Sequence, residues 1–270
     1  MLLWMLYCCY ITPDITFEVS VLYNYRQEQM KSFIEKQNVV TIKQLRQLFP
    51  DVSLMTIHRD LDLLEATGAA VKFRGGARSV RHNGDPEFNE RMRKNNLEKS
   101  VIAQKALQLI QPHSAIFLDA STTNLALAKI LPDINLNIIT TGPSIAMELC
   151  RLTNPIVTVC CGTINRKNLA LSGQNTLEML SKINIDVAFI GVSGFSLDAG
   201  FTCGTEGDML VKHQVIKKAR KSVAMCGSDK FTCLMPYTFA NLSDVDYLIS
   251  DEPLPESIAQ AAKAANVTIL

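Results

Sequence analysis

No two of the eight cysteines have C-x-x-C spacing, and no His/Cys cluster has the spacing of zinc ligands. A zinc-held fold and dithiol chemistry are therefore not expected. Cys160 and Cys161 lie in the apolar run VTVCCG, where a reduced thiol behaves as a small hydrophobe; a redox switch through that pair is the alternative. No apolar run is long enough to span a bilayer. The opening MLLWMLYCCYIT is about a dozen residues of mostly apolar chain against the roughly 20 a transmembrane helix needs. It also lacks the basic start and small-residue cleavage site of a secretory signal. Internal repeats and low-complexity tracts are absent. Net charge is small too, at +1. That balance hides an asymmetry, because residues 25–80 carry nine Lys/Arg against six Asp/Glu while the rest of the chain is slightly acidic. The 270 residues, 47% hydrophobic and 20% charged, describe a folded, cytoplasmic protein with room for two domains.

The stretch Thr41 to Ala77 reads as helix, tight turn, second helix and hairpin. Ile42, Leu45, Leu48 and Phe49 recur at helical spacing and form one apolar face. Pro50 and Asp51 stop that helix, and Ser53 is a good N-cap for the next. Along it Ile57, Leu61 and Leu64 face inward, while Met55, Thr56, His58 and Arg59 lean outward from the first turns. Gly68 closes the helix as a C′ residue does. Ala70, Val71 and Phe73 lead into Arg74-Gly75-Gly76-Ala77, which has the look of a wing. Two helices joined so tightly suit a helix-turn-helix, whose second helix offers its first residues to the major groove. The plain alternative is a helical hairpin packed in a core. A preceding helix over Tyr25–Gln37 supplies Met30, Phe33 and Ile34 as its apolar face, with Arg26, Gln29 and Lys36 outside.

The run Val52-Ser53, Thr56-Ile57, Arg59-Asp60-Leu61, Leu64-Glu65, Gly68 and Gly75-Gly76-Ala77 resembles the signature of DeoR-family bacterial transcriptional regulators. His58 replaces a usual arginine, Arg74 a usual histidine, and one extra residue (Pro50 or Asp51) lengthens the turn. The resemblance implies a winged helix-turn-helix over 25–78. Thr56, His58 and Arg59 are expected on double-stranded operator DNA, with Met55 beside them, Ser53 capping the helix and Arg74 on backbone phosphate. Residues 1–24 are either an apolar cap or the product of a start codon assigned too far upstream. The second reading is preferred because family members begin shortly before Met30.

Residues 79–86 have turn composition, and 79–100 is read as the linker, continued by a connecting helix. It carries a Glu90–Lys94 i,i+4 pair and apolar Val101, Ile102, Leu107, Leu109 and Ile110. In the family the matching segment, with Arg91 and Glu98-Lys99, links the two domains. From residue 101 to 270, short β-prone runs (AIFLDA, LNIITT, IVTVCC, DVAFIG, SVAMC, DYLIS) alternate with helical stretches, as in an α/β domain with a mainly parallel sheet. Ligands in such sheets bind beyond the carboxyl ends of the strands. There stand Asp119-Ala120-Ser121-Thr122-Thr123, whose hydroxyls and helix N-terminal amides suit an anion, and Thr140-Thr141-Gly142-Pro143-Ser144 of the same form. Simple helix capping is the alternative for both loops.

The same family resemblance covers residues 25–260. It implies an effector domain similar in fold to ribose-5-phosphate isomerase and coenzyme A transferases, binding a phosphorylated sugar. Asp119, Thr122 and Thr123 match its Asp-x-Gly-Thr-Thr phosphate loop, with Ser121 in the glycine position. Thr141, Gly142, Gly162, Gly194, Glu206, Lys212 and Lys230 complete the implied effector site. Ser121 carries a β-carbon where the family has none, so a retuned or weakened site stays open. The implied function is a regulator, a repressor in the family's commoner mode, of a carbohydrate operon. It needs no cofactor, metal or membrane and works as a homodimer or homotetramer. The rivals are a sugar-phosphate isomerase drafting Glu206, Asp119 and Lys230, and a constitutive DNA-binding protein whose effector site has decayed.

Overall fold

The computed structural model describes residues 13–37, 39–67, 69–73, 75–79, 87–231 and 233–270. Two compact units divide the chain, Met1–His82 and Asn83–Leu270.

The first unit holds α1 (Pro13–Gln37), β1 (Val39–Thr41), α2 (Ile42–Leu48), α3 (Leu54–Ala66), β2 (Ala70–Phe73) and β3 (Gly76–Ser79). Its sheet is antiparallel in the order β1-β3-β2, which makes this a winged helix-turn-helix. Helix α1 begins at Pro13 and not at Tyr25, so it runs back into the expected extension; residues 1–12 lie outside the described residues. Met30 and Ile34 of α1, Leu45 and Phe49 from the α2 turn, and Ile57, Leu61 and Leu64 of α3 form one buried cluster. Leu48, expected on that face, is exposed. Arg26, expected outside, turns inward: its Nε donates to buried Asp60 of α3 at 2.6 Å, and Gln27 adds a second contact at 3.3 Å. Thr41 and Gln44 cap α2 reciprocally, and Ser53 Oγ accepts the Thr56 amide at 3.2 Å to start α3. Gly76 has no room for a side chain, since a β-carbon there would lie 2.1 Å from the Val40 carbonyl oxygen. Gly68 and Arg74 lie outside the described residues.

The expected linker 79–100 divides. Residues 80–86 lie outside the described residues, whereas α4 (Phe88–Arg93) and α5 (Asn96–Leu107) belong to the second unit, with Phe88, Ile102, Ala103 and Ala106 in its core. Val101, expected to pack, is exposed. Asn95 breaks the run between the two helices with φ 54°. There follow β4 (Ala115–Leu118), α6 (Thr122–Ile130), β5 (Asn137–Thr140), α7 (Pro143–Leu149), β6 (Ile156–Val159), β7 (Thr163–Ile164), β8 (Leu171–Ser172), α8 (Gln174–Ser181), β9 (Ile185–Gly191), β10 (Gly194–Ser196) and β11 (Gly200–Cys203). The chain continues through α9 (Glu206–Lys218), β12 (Ala219–Met225), a 3-10 turn at Ser228–Lys230, β13 (Tyr237–Ala240), β14 (Tyr247–Ile249), α10 (Glu256–Ala264) and β15 (Thr268–Ile269).

Seven strands form one parallel sheet in the order β15-β14-β12-β9-β4-β5-β6. Successive side chains of a strand point to opposite faces, and each central strand feeds two cores. Ile116 and Leu118 of β4 and Val187 and Phe189 of β9 join the core under α5, α6 and α7. Phe117, Ala188 and Ile190 join the other, which includes α8, α9 and α10 residues. Covering both faces is what allows the strands to be near-continuously apolar. A small antiparallel sheet, β10-β11-β13, packs Phe195, Phe201 and Phe239 on the second core. The order places β4 at the point where the chain's progress across the sheet reverses, with β5 and β6 on one side and β9, β12 and β14 on the other. A crevice beyond the carboxyl ends of β4 and β9 follows from that topology.

Candidate functional site

Asp119 leaves β4 into that crevice and is almost fully buried. Its Oδ2 accepts the Gly191 amide from the end of β9 at 2.9 Å. Its Oδ1 accepts the Ser121 amide at 3.0 Å and Asn124 Nδ2 at 2.8 Å. The carboxylate thus shapes the loop and ties two neighbouring strands together. Ser121 caps α6, accepting the Asn124 amide at 3.1 Å. The first helical amides, of Thr122 and Thr123, have no partner within the helix, and both residues line the cleft.

Lys212 of α9 is buried at the floor. Its ammonium donates to the Gly191 carbonyl at 2.8 Å, pairs with Asp208 at 2.9 Å and lies 3.4 Å from Asp119. Burial pulls its pKa down, but the two carboxylates outweigh that and hold it above the usual lysine range. Three acceptors use up the three donors of an ammonium. Lys212 is therefore committed to the protein, as a pin under the Asp119 loop.

The lining of the cleft brings together Asp119, Ser121, Thr122, Thr123, Lys212 and Lys230 of the expected residues. It does not include the others. Thr141 is buried, with its carbonyl accepting the Leu171 amide at 2.9 Å. Gly142 packs against Ala120, where a β-carbon would meet the Ala120 α-carbon at 3.0 Å. Gly162, at φ 145°, is crowded by Thr176 and Ser172, and Gly194 by the Cys233 carbonyl. These glycines serve backbone packing. Glu206 begins α9 and is exposed.

The far wall was not anticipated as part of the site. It consists of Arg91, Lys94, Asn95, Glu98, Lys99 and Ile102 from α4 and α5. Asn95 Nδ2 donates to Asp229 Oδ2 at 2.9 Å, and Lys230 pairs with the same oxygen at 2.8 Å. Lys99 donates to the carbonyls of Arg91 and Lys94 at the end of α4. Burial first, then Lys230 and Arg91, bring its pKa down to about 8, against Asp229 and Glu98. The available signal was the family-like Arg91 and Glu98-Lys99, read there as linker. The lining thus sets Thr122 and Thr123 at the start of α6 together with Lys99 and Lys230 in one cleft.

In the first unit, Met55 and Arg59 are exposed on α3, with Thr56 and His58 half-exposed beside them. Ser53 Oγ and Thr56 Oγ1 share a hydrogen bond of 2.8 Å, so part of the hydroxyl capacity there is spent on the cap. Lys43 and Arg46 of α2 border a shallow hollow with Pro50 and Leu54, placing two further cations beside the start of α3. Asp60, next to Arg59, faces the opposite way into the core. This alternation lets one helix anchor and present at once.

A winged helix-turn-helix followed by an α/β unit with a cleft at its switch point is the plan of a ligand-responsive DNA-binding regulator. Residues 26–83 match the DeoR-like helix-turn-helix domain and residues 94–252 match the DeoR C terminal sensor domain. The chain belongs to the DeoR family of transcriptional regulators. It is 32% identical over 246 residues to an uncharacterized HTH-type transcriptional regulator of Haemophilus influenzae, covering 90% of this chain and 95% of that protein. It is 31% identical over 231 residues to the HTH-type transcriptional repressor GlcR of Bacillus subtilis, covering 84% and 89%. Among solved structures, ribose 5 phosphate isomerase A from Neisseria gonorrhoeae is similar with a TM-score of 0.38 at 16% identity, over 51% of this chain and 54% of that one. No helix among the described residues is long and apolar enough to cross a membrane.

Proposed function

We propose that this regulator represses a carbohydrate-utilisation operon in the cytoplasm. It binds double-stranded operator DNA through α3 as a homodimer or homotetramer, and it responds to a phosphorylated sugar held in the cleft. One observation carries the reading. Thr122 and Thr123, at the start of α6, line a single cleft with the cations Lys99 and Lys230, and helix-start amides, hydroxyls and ammonium groups are a donor set matched to a phosphate. The relatives support the repressor part in name: GlcR is a transcriptional repressor, and another relative is a putative aga operon transcriptional repressor of Escherichia coli O157:H7.

An isomerase needs a free base at the carbinol carbon. The Asp119 carboxylate is taken by Gly191, Ser121, Asn124 and Lys212, Lys230 is paired with Asp229, and Glu206 does not line the cleft. None of the three is placed for that work.

Effector and operator must then be linked by unequal affinity for two states, with a typical coupling of about 1–3 kcal/mol. The test is thermal unfolding of the full chain with a panel of sugar phosphates and the corresponding free sugars. A compound present at 100 times its Kd adds about 2.7 kcal/mol of stability. A selective shift by one phosphorylated sugar, lost in Thr122→Ala, is the expected result. No shift by any of them, with operator DNA still stabilising the protein, would sink the sensing role.

A further inference from the structure

The seven-stranded sheet ends in β15 on one side and β6 on the other. Natural sheets protect their edges by shortness, charge, proline or a cover. Strand β15 has two residues and is short enough to be harmless. Strand β6, Ile156-Val157-Thr158-Val159, has four β-branched residues and no charge, and no strand among the described residues pairs beyond it.

Its hydrogen bonding fixes which groups face out. The amides of Ile156 and Cys160 donate to Leu136 and Thr140 of the β5 side at 2.9 Å each. In a parallel ladder the alternate residues therefore point away from β5, so Val157 and Val159 present their N–H and C=O groups to the open edge. Around it, Ile156 is 65% exposed and Val159 is 42% exposed. Helix α7, which packs on β5 and β6, exposes Met147 at 78%, and Cys150 just past its end is exposed as well.

We propose that β6 is the interaction surface for a second copy of this chain, the two edges pairing antiparallel about a two-fold axis through Thr158. The inference rests on the reading of the protein as a paired regulator and names the surface that pairs it. In that register Val157 of each copy faces Val159 of the other, and Thr158 faces Thr158. Each Val157–Val159 pair exchanges two backbone hydrogen bonds, and every cross-strand contact joins β-branched or hydroxyl side chains, which favour one another. The same patch used twice is an isologous interface, which closes after two copies. A lone peptide strand would leave Met147 and Cys150 bare. A specific interface needs about 1,000 Å² or more, and a second copy supplies its own α7 surface as well as its strand.

The two kinds of backbone position on β6 give the test. In Val157→Pro the lost N–H points outward, so no bond within the subunit is broken, while the proline ring blocks a partner strand. Val159→Lys is the second variant, placing like charges near the axis. Mass is measured by sedimentation over a concentration series of the full chain. The thermal transition and its response to the sugar-phosphate panel are read on the same samples. The expected result is a halved mass in both variants with the thermal transition kept; should Val157→Pro fail to fold, Val159→Lys decides alone. An unchanged mass in folded variants, or a wild type that is monomeric at every concentration, would overturn the pairing. A retained sugar-phosphate response in that case would leave the sensing role standing.

Discussion

Asn95 and Asp229 stand 134 positions apart in sequence and share a hydrogen bond of 2.9 Å across the rim of the cleft. Asn95 is the left-handed residue at the α4–α5 break, at φ 54°, so one side chain both bends the chain and fastens the bend to the opposite wall. Two substitutions separate these roles. Asn95→Gly loses only the hydrogen bond, because glycine takes that backbone freely. A Tm loss of no more than about 4 °C is expected, from a bond worth about 1 kcal/mol in a domain of this size. Asn95→Ala adds the strain of a β-carbon in the left-handed region, a further cost of about 1–2 kcal/mol. Calorimetry finding the two variants equal would mean the backbone is not held in that conformation.

Lys99 predicts a pH dependence in which stability and ligand binding move in opposite directions. Its pKa in the fold is about 8 against an ordinary 10.5. Between those values the unfolded chain holds a proton that the folded chain has released, so the group's contribution to stability rises with pH across that window. As pH falls through about 8 the contribution disappears. Anion binding runs the other way, because it uses the charged form. The Tm shift produced by inorganic phosphate or a sugar phosphate should be larger at pH 7 than at pH 9. Lys99→Gln should flatten that difference. A shift independent of pH in the wild type would remove Lys99 from the anion site.

Breaking the buried charge cluster beneath the Asp119 loop should be costly. Lys212→Met removes the cation that contacts both Asp119 and Asp208, and removing one partner of a buried pair costs about 3–5 kcal/mol. Urea unfolding at pH 7 measures it. Asp208→Asn added to Lys212→Met should recover part of the loss, since it deletes one of the two carboxylate charges that Lys212 faces. Strict additivity of the two substitutions would show that Lys212 and Asp208, in contact at 2.9 Å, are not energetically coupled.

The organisation of both units could be read from periodicity, and the parts that could not share a cause. Ile57, Leu61 and Leu64 declare the buried side of α3 by spacing alone, and the apolar runs of β4, β9 and β12 declare a sheet covered on both faces. The Asp119–Thr123 loop was visible because polar residues follow directly on an apolar strand. Side chains that meet only through tertiary folding left no such trace. Lys99 reaches the cleft because Asn95 turns left-handed, and nothing in the spacing of α4 and α5 signals that bend. Asp208 and Lys212 were a visible i,i+4 pair, but their burial depends on where α9 meets β9. Gly162, Gly194 and Glu206 enter the expected site through the family resemblance. The glycines answer to close backbone contacts at those places, and Glu206 faces solvent.

On the DNA-binding side, Arg59 is the exposed cation of α3 beside half-exposed His58. Arg59→Ala should weaken operator binding by about 1–3 kcal/mol if it reads a base edge, with discrimination lost at one position. A phosphate contact would instead weaken all sequences alike and reduce the salt slope by about 1. Binding titrations at several salt concentrations on operator and scrambled duplexes separate these. No loss on either duplex would exclude α3 as the reading helix.

Ser121 stands where the resembled phosphate loop has glycine. A β-carbon built on Gly191 would lie 2.3 Å from Ser121 Cβ and 2.4 Å from its hydroxyl. The Ser121 side chain thus fills the space above Gly191, and its oxygen is committed to the Asn124 amide at 3.1 Å. Gly191→Ala should therefore destabilise by about 1–3 kcal/mol through overpacking. Ser121→Gly should cost only a few tenths of a kcal/mol, because glycine is itself a tolerable N-cap. Combined, the two should cost less than their sum, since the glycine at 121 vacates the volume that the new methyl group needs. The same single variant addresses the phosphate loop. If the Ser121 side chain occupies the Gly191 side and not the approach to the Thr122 and Thr123 amides, Ser121→Gly should leave anion affinity within about threefold of wild type, under 1 kcal/mol. A gain of tenfold or more would mean instead that the serine stands in the path of the phosphate and that this chain carries a weakened sensor.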